Sequence, residues 1–212
     1  MRDIFLYGDI HGSFKYFEEQ LNRNKGLGIQ LGDLGIGFRQ EIINPAFFYD
    51  NTQPYKIPTL TNFECSREKM VFLKGNHDFP EMCRSHPNYL GEFGIFKGMF
   101  FVSGAWSIDK EFRKEGVDWW PDEELSISQG YDALELYDKT KPDIVLTHEC
   151  PLDILSYVHH NIIPTRTGQL LNEMYHIHHP KHWYFAHHHV SFEKILFGTH
   201  FKCLNVGEYI KI

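Results

Sequence analysis

Several features that would settle a class at once are missing from this sequence. Its four cysteines, Cys65, Cys83, Cys150 and Cys203, stand far apart with no C-x-x-C pair. That argues against a zinc ribbon and against a disulfide framework, so four reduced thiols are expected. Positive charge is scarce: Lys and Arg total 21 against 28 Asp and Glu, for a formal net charge of −7. With no basic run either, a protein that wraps duplex nucleic acid by neutralising phosphates is not expected. No apolar run reaches transmembrane length, and no leader-like stretch precedes the first apolar run at Ile4. A cytoplasmic location is therefore expected, and a membrane partner is not. There is no internal repeat and no low-complexity linker. A chain of 212 residues fits one domain, residues 1–212, with room for a core that needs no staples.

What the sequence has instead is histidine, fourteen of them, most of them after residue 147. Imidazole is the commonest metal ligand and a frequent general acid or base, but a His-rich tract can equally be a solvated surface. Position therefore has to decide. The apolar run Trp183-Tyr184-Phe185-Ala186 stops at three consecutive histidines, His187 to His189. Other apolar runs end in a similar way. Ile4–Tyr7 leads to Asp9 and His11, Gly26–Leu31 to Asp33, Met70–Leu73 to Asn76 and His77, and Ile144–Leu146 to His148. Each run reads as a buried strand. In open α/β sheets the crevice beyond the carboxyl ends of the strands is where ligands bind.

Helices are expected after Ser13, over Glu123–Lys139 and over Thr167–His178, on apolar spacings of three and four. Residues 35–62 carry Pro45, Pro54 and Pro58 and read as a long loop or small insertion. Tyr89–Val102 and the tail read as β-rich. Gly-Asp after a strand is on its own usually just a turn. Two carboxylates, an Asn and several imidazoles, all at strand ends, form a convergent oxygen and nitrogen ligand set that no packing requirement explains.

These motifs resemble the calcineurin-like metallophosphoesterase superfamily, whose pattern is D-x-H, G-D, G-N-H-[DE], a single His, and G-H-x-H. Here they stand in order as Asp9-Ile10-His11, Gly32-Asp33, Gly75-Asn76-His77-Asp78, His148 and Ala186-His187-His188-His189. The resemblance implies a four-layer α/β/β/α sandwich with two mixed sheets. It also implies two divalent ions, with Mn²⁺ favoured and Fe, Zn²⁺ or Ni²⁺ compatible with the donor set. Asp9, His11, Asp33 and His189 would hold one ion, and Asp33, Asn76, His148 and His187 the other, with Asp33 bridging. The implied reaction is hydrolysis of a phosphomonoester or phosphodiester by metal-bound hydroxide, with His77 as general acid. In extended backbone alternate residues share a side. His187 and His189 would then reach one ion each, and His188 would face the surface or the substrate. Asp78 is expected to cap the following helix.

The match departs from the protein Ser/Thr phosphatase branch, which writes G-D-x-V-D-R-G where this chain has Gly32-Asp33-Leu34-Gly35-Ile36-Gly37-Phe38. The second Asp and the Arg are replaced by Ile36 and Gly37, so that activity is not expected. The chain is more similar to the small stand-alone phosphoesterases of bacteria and their phages, chiefly through residues 104–124. Arg39, Arg113 and Arg166 are candidates for the missing phosphate contact. Trp119 and Trp120 are read as packing, with stacking on a base as the other option. His159-His160 and His178-His179 are read as surface or helix-end residues. The expected partner is a small phosphorylated substrate or a nucleotide. Two alternatives are a catalytically silent scaffold of the same fold and a nuclease on short nucleic acids.

Overall fold

Alternation along the strands sorts this chain into layers. The computed structural model describes residues 2–37, 62–160 and 162–212. Most of the expected loop at 35–62, with Arg39, lies outside the described residues. The strands are β1 (Ile4–Tyr7), β2 (Leu27–Gln30), β3 (Met70–Phe72), β4 (Phe93–Phe96), β5 (Met99–Val102), β6 (Ile144–Thr147), β7 (His182–Phe185), β8 (Phe192–Leu196), β9 (Thr199–Cys203) and β10 (Tyr209–Lys211). The helices are α1 (Phe14–Arg23), α2 (Pro80–Ser85), α3 (Ile127–Thr140), α4 (Leu152–Val158) and α5 (Arg166–Ile177).

One sheet runs β10-β1-β2-β3 and the other β4-β5-β6-β7-β9-β8. Both are mixed. β1, β2 and β3 are mutually parallel, and β10 closes the edge antiparallel to β1. In the second sheet β5, β6, β7 and β9 are parallel, with antiparallel β4 and β8 at the two edges. Successive side chains of a strand point to opposite faces. Leu6, Val71, Leu73, Phe101, Leu146 and Tyr184 therefore meet in a core between the sheets. Tyr7, Met70 and Phe72 point outward onto Phe17 and Leu21 of α1 and Cys83 of α2. Phe100, Val102, Val145, Trp183 and Phe185 point outward onto α3, α4 and α5. Three cores between four layers make an α/β/β/α sandwich.

The expected helix at Glu123 starts later, at Ile127. Ser126 accepts from the Gln129 N–H while the Gln129 side chain accepts from the Ser126 N–H, and this capping box fixes the first turn. Glu123 and Glu124 are left free for buried work elsewhere. Helix α4, not anticipated from the sequence, follows Pro151 and buries Ile154 and Leu155. None of the described helices is long and apolar enough to cross a membrane.

Candidate metal centre

The parallel runs β1-β2-β3 and β5-β6-β7 bring the carboxyl ends of both sheets to one place. There, one ligand atom each from Asp9, His11, Asp33 and His189 falls within 4.8 Å of the others, and a second such group joins Asp33, His148 and His187. Asp33 belongs to both. His189 Nε2 lies 3.0 Å from Asp9 Oδ2 and 2.9 Å from His11 Nε2. His148 Nε2 lies 3.3 Å from Asp33 Oδ1 and 3.3 Å from Asn76 Oδ1. The structure thus gathers Asp9, His11, Asp33, Asn76, His148, His187 and His189 in one cluster.

The backbone holds these groups at some cost. His11, Asp33, His187 and His189 all have positive φ, at 45°, 57°, 67° and 52°. Non-glycine residues adopt that region rarely, and such strain gathers at functional sites. His187 and His189 are therefore not aimed by strand alternation, as the extended-chain expectation had it. β7 ends at Phe185, and left-handed turns carry both rings into the cluster. Gly32 is needed for closeness: a Cβ there would meet the His148 ring at 2.4 Å. Asp78, expected to cap α2, does other work, and Phe79 takes the N-cap position without a side-chain bond. The buried Asp78 carboxylate accepts from the N–H groups of Leu34 (3.2 Å), Gly35 (2.7 Å), Ile36 (2.9 Å) and Gly75 (2.8 Å). It staples the loop after β2 to the loop after β3.

Charge in the cluster is strongly coupled. Burial would raise the Asp33 carboxyl, but His148, His77 and His11 outweigh it and hold the group well below the usual range. The His77 backbone N–H also donates to Asp33 Oδ1 at 2.7 Å. Burial works against a charged His148, yet Asp33 and then Asp9 push it up to about 9. Its Nδ1 donates to the Leu31 carbonyl at 2.8 Å, which leaves Nε2 turned to the cluster. His187 goes the other way, lowered by burial to about 3 although Glu149 opposes this. His77 is lowered to about 4, by burial first, with Asp33 opposing and Arg113 adding to it.

His77 has a partner that its motif does not foretell. Arg113 Nη2 lies 2.7 Å from His77 Nε2, and a guanidinium can only donate, so that nitrogen accepts. Arg113 is itself gripped by Asp109 at 2.7 Å. Arg166 is not brought to the cluster. It faces Glu124 at 3.6 Å and lines a separate groove between α3 and α5. His188, expected at the surface or facing substrate, lines the cavity over the cluster and is held there by Glu149, its Nε2 2.8 Å from Glu149 Oε1. Trp120 is buried and stacks on Phe79 at 5.0 Å, so it packs rather than offering a platform.

A cavity of about 750 Å³ opens over the cluster. Its lining includes Asp33, Asn76, His77, Arg113 and His187, and also Trp106, Glu149, His159 and His160. His159 caps the C-terminal end of α4 and His160 is exposed beyond it, as a helix-end reading expects, but both also line this cavity. Only their distance along the chain hid this: α4 carries them back over His188, whose ring is 5.1 Å from that of His159. Lys74 was also not foreseen. It is wholly buried behind the cluster, with Nζ 3.0 Å from Glu92 and donating to the Asp122 carbonyl at 2.8 Å.

The residues fit cations. Asp33 Oδ2 is buried and has no hydrogen-bond partner among the described residues, and Asp9 Oδ2 faces only the His189 and His11 rings there, at 3.0 and 3.7 Å. A buried carboxylate oxygen without a partner is costly unless it meets a cation. A family model described as calcineurin-like phosphoesterase matches residues 3–191, and the chain belongs to that family. It is a metal-dependent phosphoester hydrolase. Among solved structures it is similar to the phosphopantetheinyl hydrolase from Mycobacterium tuberculosis, at 13% identity over 97% of this chain and 90% of that one, with a TM-score of 0.45. No curated protein sequence matches it.

Proposed function

We propose that the chain hydrolyses a small phosphoester using two divalent ions, Mn²⁺ the first choice, with His77 as the proton donor to the leaving group. The observation that carries this is Asp33, a buried carboxylate common to both ligand groups, with one oxygen that has no hydrogen-bond partner among the described residues. Asp9, His11, Asp33 and His189 hold one ion, and Asp33, Asn76, His148 and His187 hold the other. Oxygen and nitrogen donors without thiolate also suit Fe, Zn²⁺ and Ni²⁺. When bound, such ions supply an acidified water and stabilise charge on the phosphoryl oxygens.

The chain's own residues do the rest. The Leu31 carbonyl fixes the His148 tautomer, and the His77 N–H fixes Asp33. Arg113 holds His77 Nε2 as an acceptor until substrate enters. A phosphoryl group then takes the Arg113 N–H bonds, and His77, freed beside an anion, binds a proton and hands it to the leaving oxygen. The cavity's size suits a small ester or nucleotide rather than a duplex. A cytoplasmic setting belongs to the same proposal, in keeping with four free thiols.

The test compares p-nitrophenyl phosphate with bis-p-nitrophenyl phosphate on purified protein with added Mn²⁺ and a chelator control. Faster diester cleavage selects a phosphodiesterase and faster monoester cleavage a phosphatase. Activity that survives the chelator rejects the metal mechanism. Bound metal with no turnover on either ester selects the silent scaffold.

A further inference from the structure

We propose that Ser107 and Glu123 set the direction of the Asn76 amide, so that its oxygen and not its NH₂ is offered to the metal. This rests on the metal-centre proposal above, which makes Asn76 a ligand. The two ends of an amide are nearly the same size, so packing alone cannot choose between them. A cation can use only the oxygen. Something beside Asn76 has to break the tie.

The structure supplies a one-way chain of hydrogen bonds. Glu123 and Asn76 are 2% and 3% exposed, and Ser107 is wholly buried. The Glu123 carboxylate accepts from the Ser107 N–H at 2.8 Å and from the Ser107 hydroxyl at 2.6 Å. A hydroxyl has one proton to give. Once it is given to Glu123, Ser107 Oγ can only accept on its other side. Asn76 must therefore present a donor there, and its Nδ2 lies 3.2 Å away. The oxygen is then forced to the opposite side, where Asn76 Oδ1 stands 3.3 Å from His148 Nε2 at the cluster.

Ser107 and Glu123 lie at either end of the segment that also sends Arg113 to His77. The segment thus manages two consecutive residues, the amide of one and the imidazole of the next. That gives residues 104–124 a task their sequence does not state.

Glu123→Gln tests the direction without changing the shape. The Gln carbonyl must stay on the Ser107 N–H, because an NH₂ there would face another donor. Its NH₂ then points at Ser107 Oγ and drives the hydroxyl proton toward Asn76, against the amide N–H. Mn²⁺ binding is read by isothermal titration calorimetry, and the melting of chelated protein is read alongside. The expected result is that one of the two Mn²⁺ affinities, that of the ion assigned to Asn76, falls about 10-fold or more, the range for loss of an outer-shell partner. The other affinity and the chelated melting temperature should stay close to the wild type. Ser107→Ala, which removes the director rather than reversing it, should weaken the same ion. Asn76→Asp in the Glu123→Gln background should restore it, since a carboxylate offers oxygen either way round.

Two ions in the wild type with unchanged binding in both Glu123→Gln and Ser107→Ala would overturn the relay alone. So would failure of Asn76→Asp to rescue. If Glu123→Gln does not fold, Ser107→Ala decides. Fewer than two ions in the wild type would overturn the metal-centre proposal itself.

Discussion

Asp33 is the residue on which the charge of the centre turns. It is wholly buried, faces three imidazoles and belongs to both ligand groups. Asp33→Asn keeps the shape and removes the charge. We expect turnover to fall about 10²–10³-fold or more, with bound Mn²⁺ dropping below two per chain by elemental analysis. Near-normal rates with two ions would reject the shared carboxylate. His77 carries a different prediction. His77→Ala should leave metal content intact and slow phenyl phosphate by about 10²-fold or more, the scale of general acid catalysis. p-Nitrophenyl phosphate, with its better leaving group, should lose much less. Equal losses on both esters would remove His77 from the proton-donor role.

At the scale of elements, the strand-end loops carry the chemistry and Asp78 holds two of them together. Four backbone N–H groups converge on its carboxylate. Asp78→Ala strands buried donors whose desolvation costs about 1–3 kcal/mol each and is not additive. A loss of about 3–5 kcal/mol is expected, below the plain sum over four such donors. For a chain of this size that lowers the melting temperature by on the order of 10 °C. Chelated protein gives the clean comparison, because metal loss then adds nothing. A shift of a degree or less would mean that water replaces the staple.

The whole molecule without metal should have a stability that peaks in pH. His77 and His187 have folded values of about 4 and about 3, below an unfolded value near 6.5. As pH falls below 6.5 the unfolded chain takes up protons that the folded one refuses, so stability drops toward pH 4. His148 is raised to about 9, mainly by Asp33 against its burial. Its contribution is complete below 6.5 and is lost as pH rises toward 9. The chelated protein should therefore melt highest near pH 6–7 and lower on both sides, by calorimetry in chelator. A melting temperature that climbs steadily with pH from 5 to 9 would contradict these shifts.

Short apolar runs, and the polar residue types that close them, were determined by the sequence itself. That was enough for the buried strands and for the ligand-type residues at Asp9, His11, Asp33, Asn76, His148, His187 and His189, while the four-layer sandwich was expected only from the family resemblance. These signals are local: a strand's burial and its terminal residue lie within a few positions of each other. Only the tertiary structure decided which distant groups face those residues. It paired His188 with Glu149 at the cavity wall, set Arg113 against His77, sent Arg166 to another groove and made Asp78 a staple instead of a cap. Ser107 and Glu123 look like ordinary loop polar residues in the chain. They gain meaning only when folding brings them beside Asn76, 31 residues from Ser107, and buries them there. Burial is what turns a hydrogen bond's direction into a constraint, since water is no longer present to satisfy whichever atom is left over.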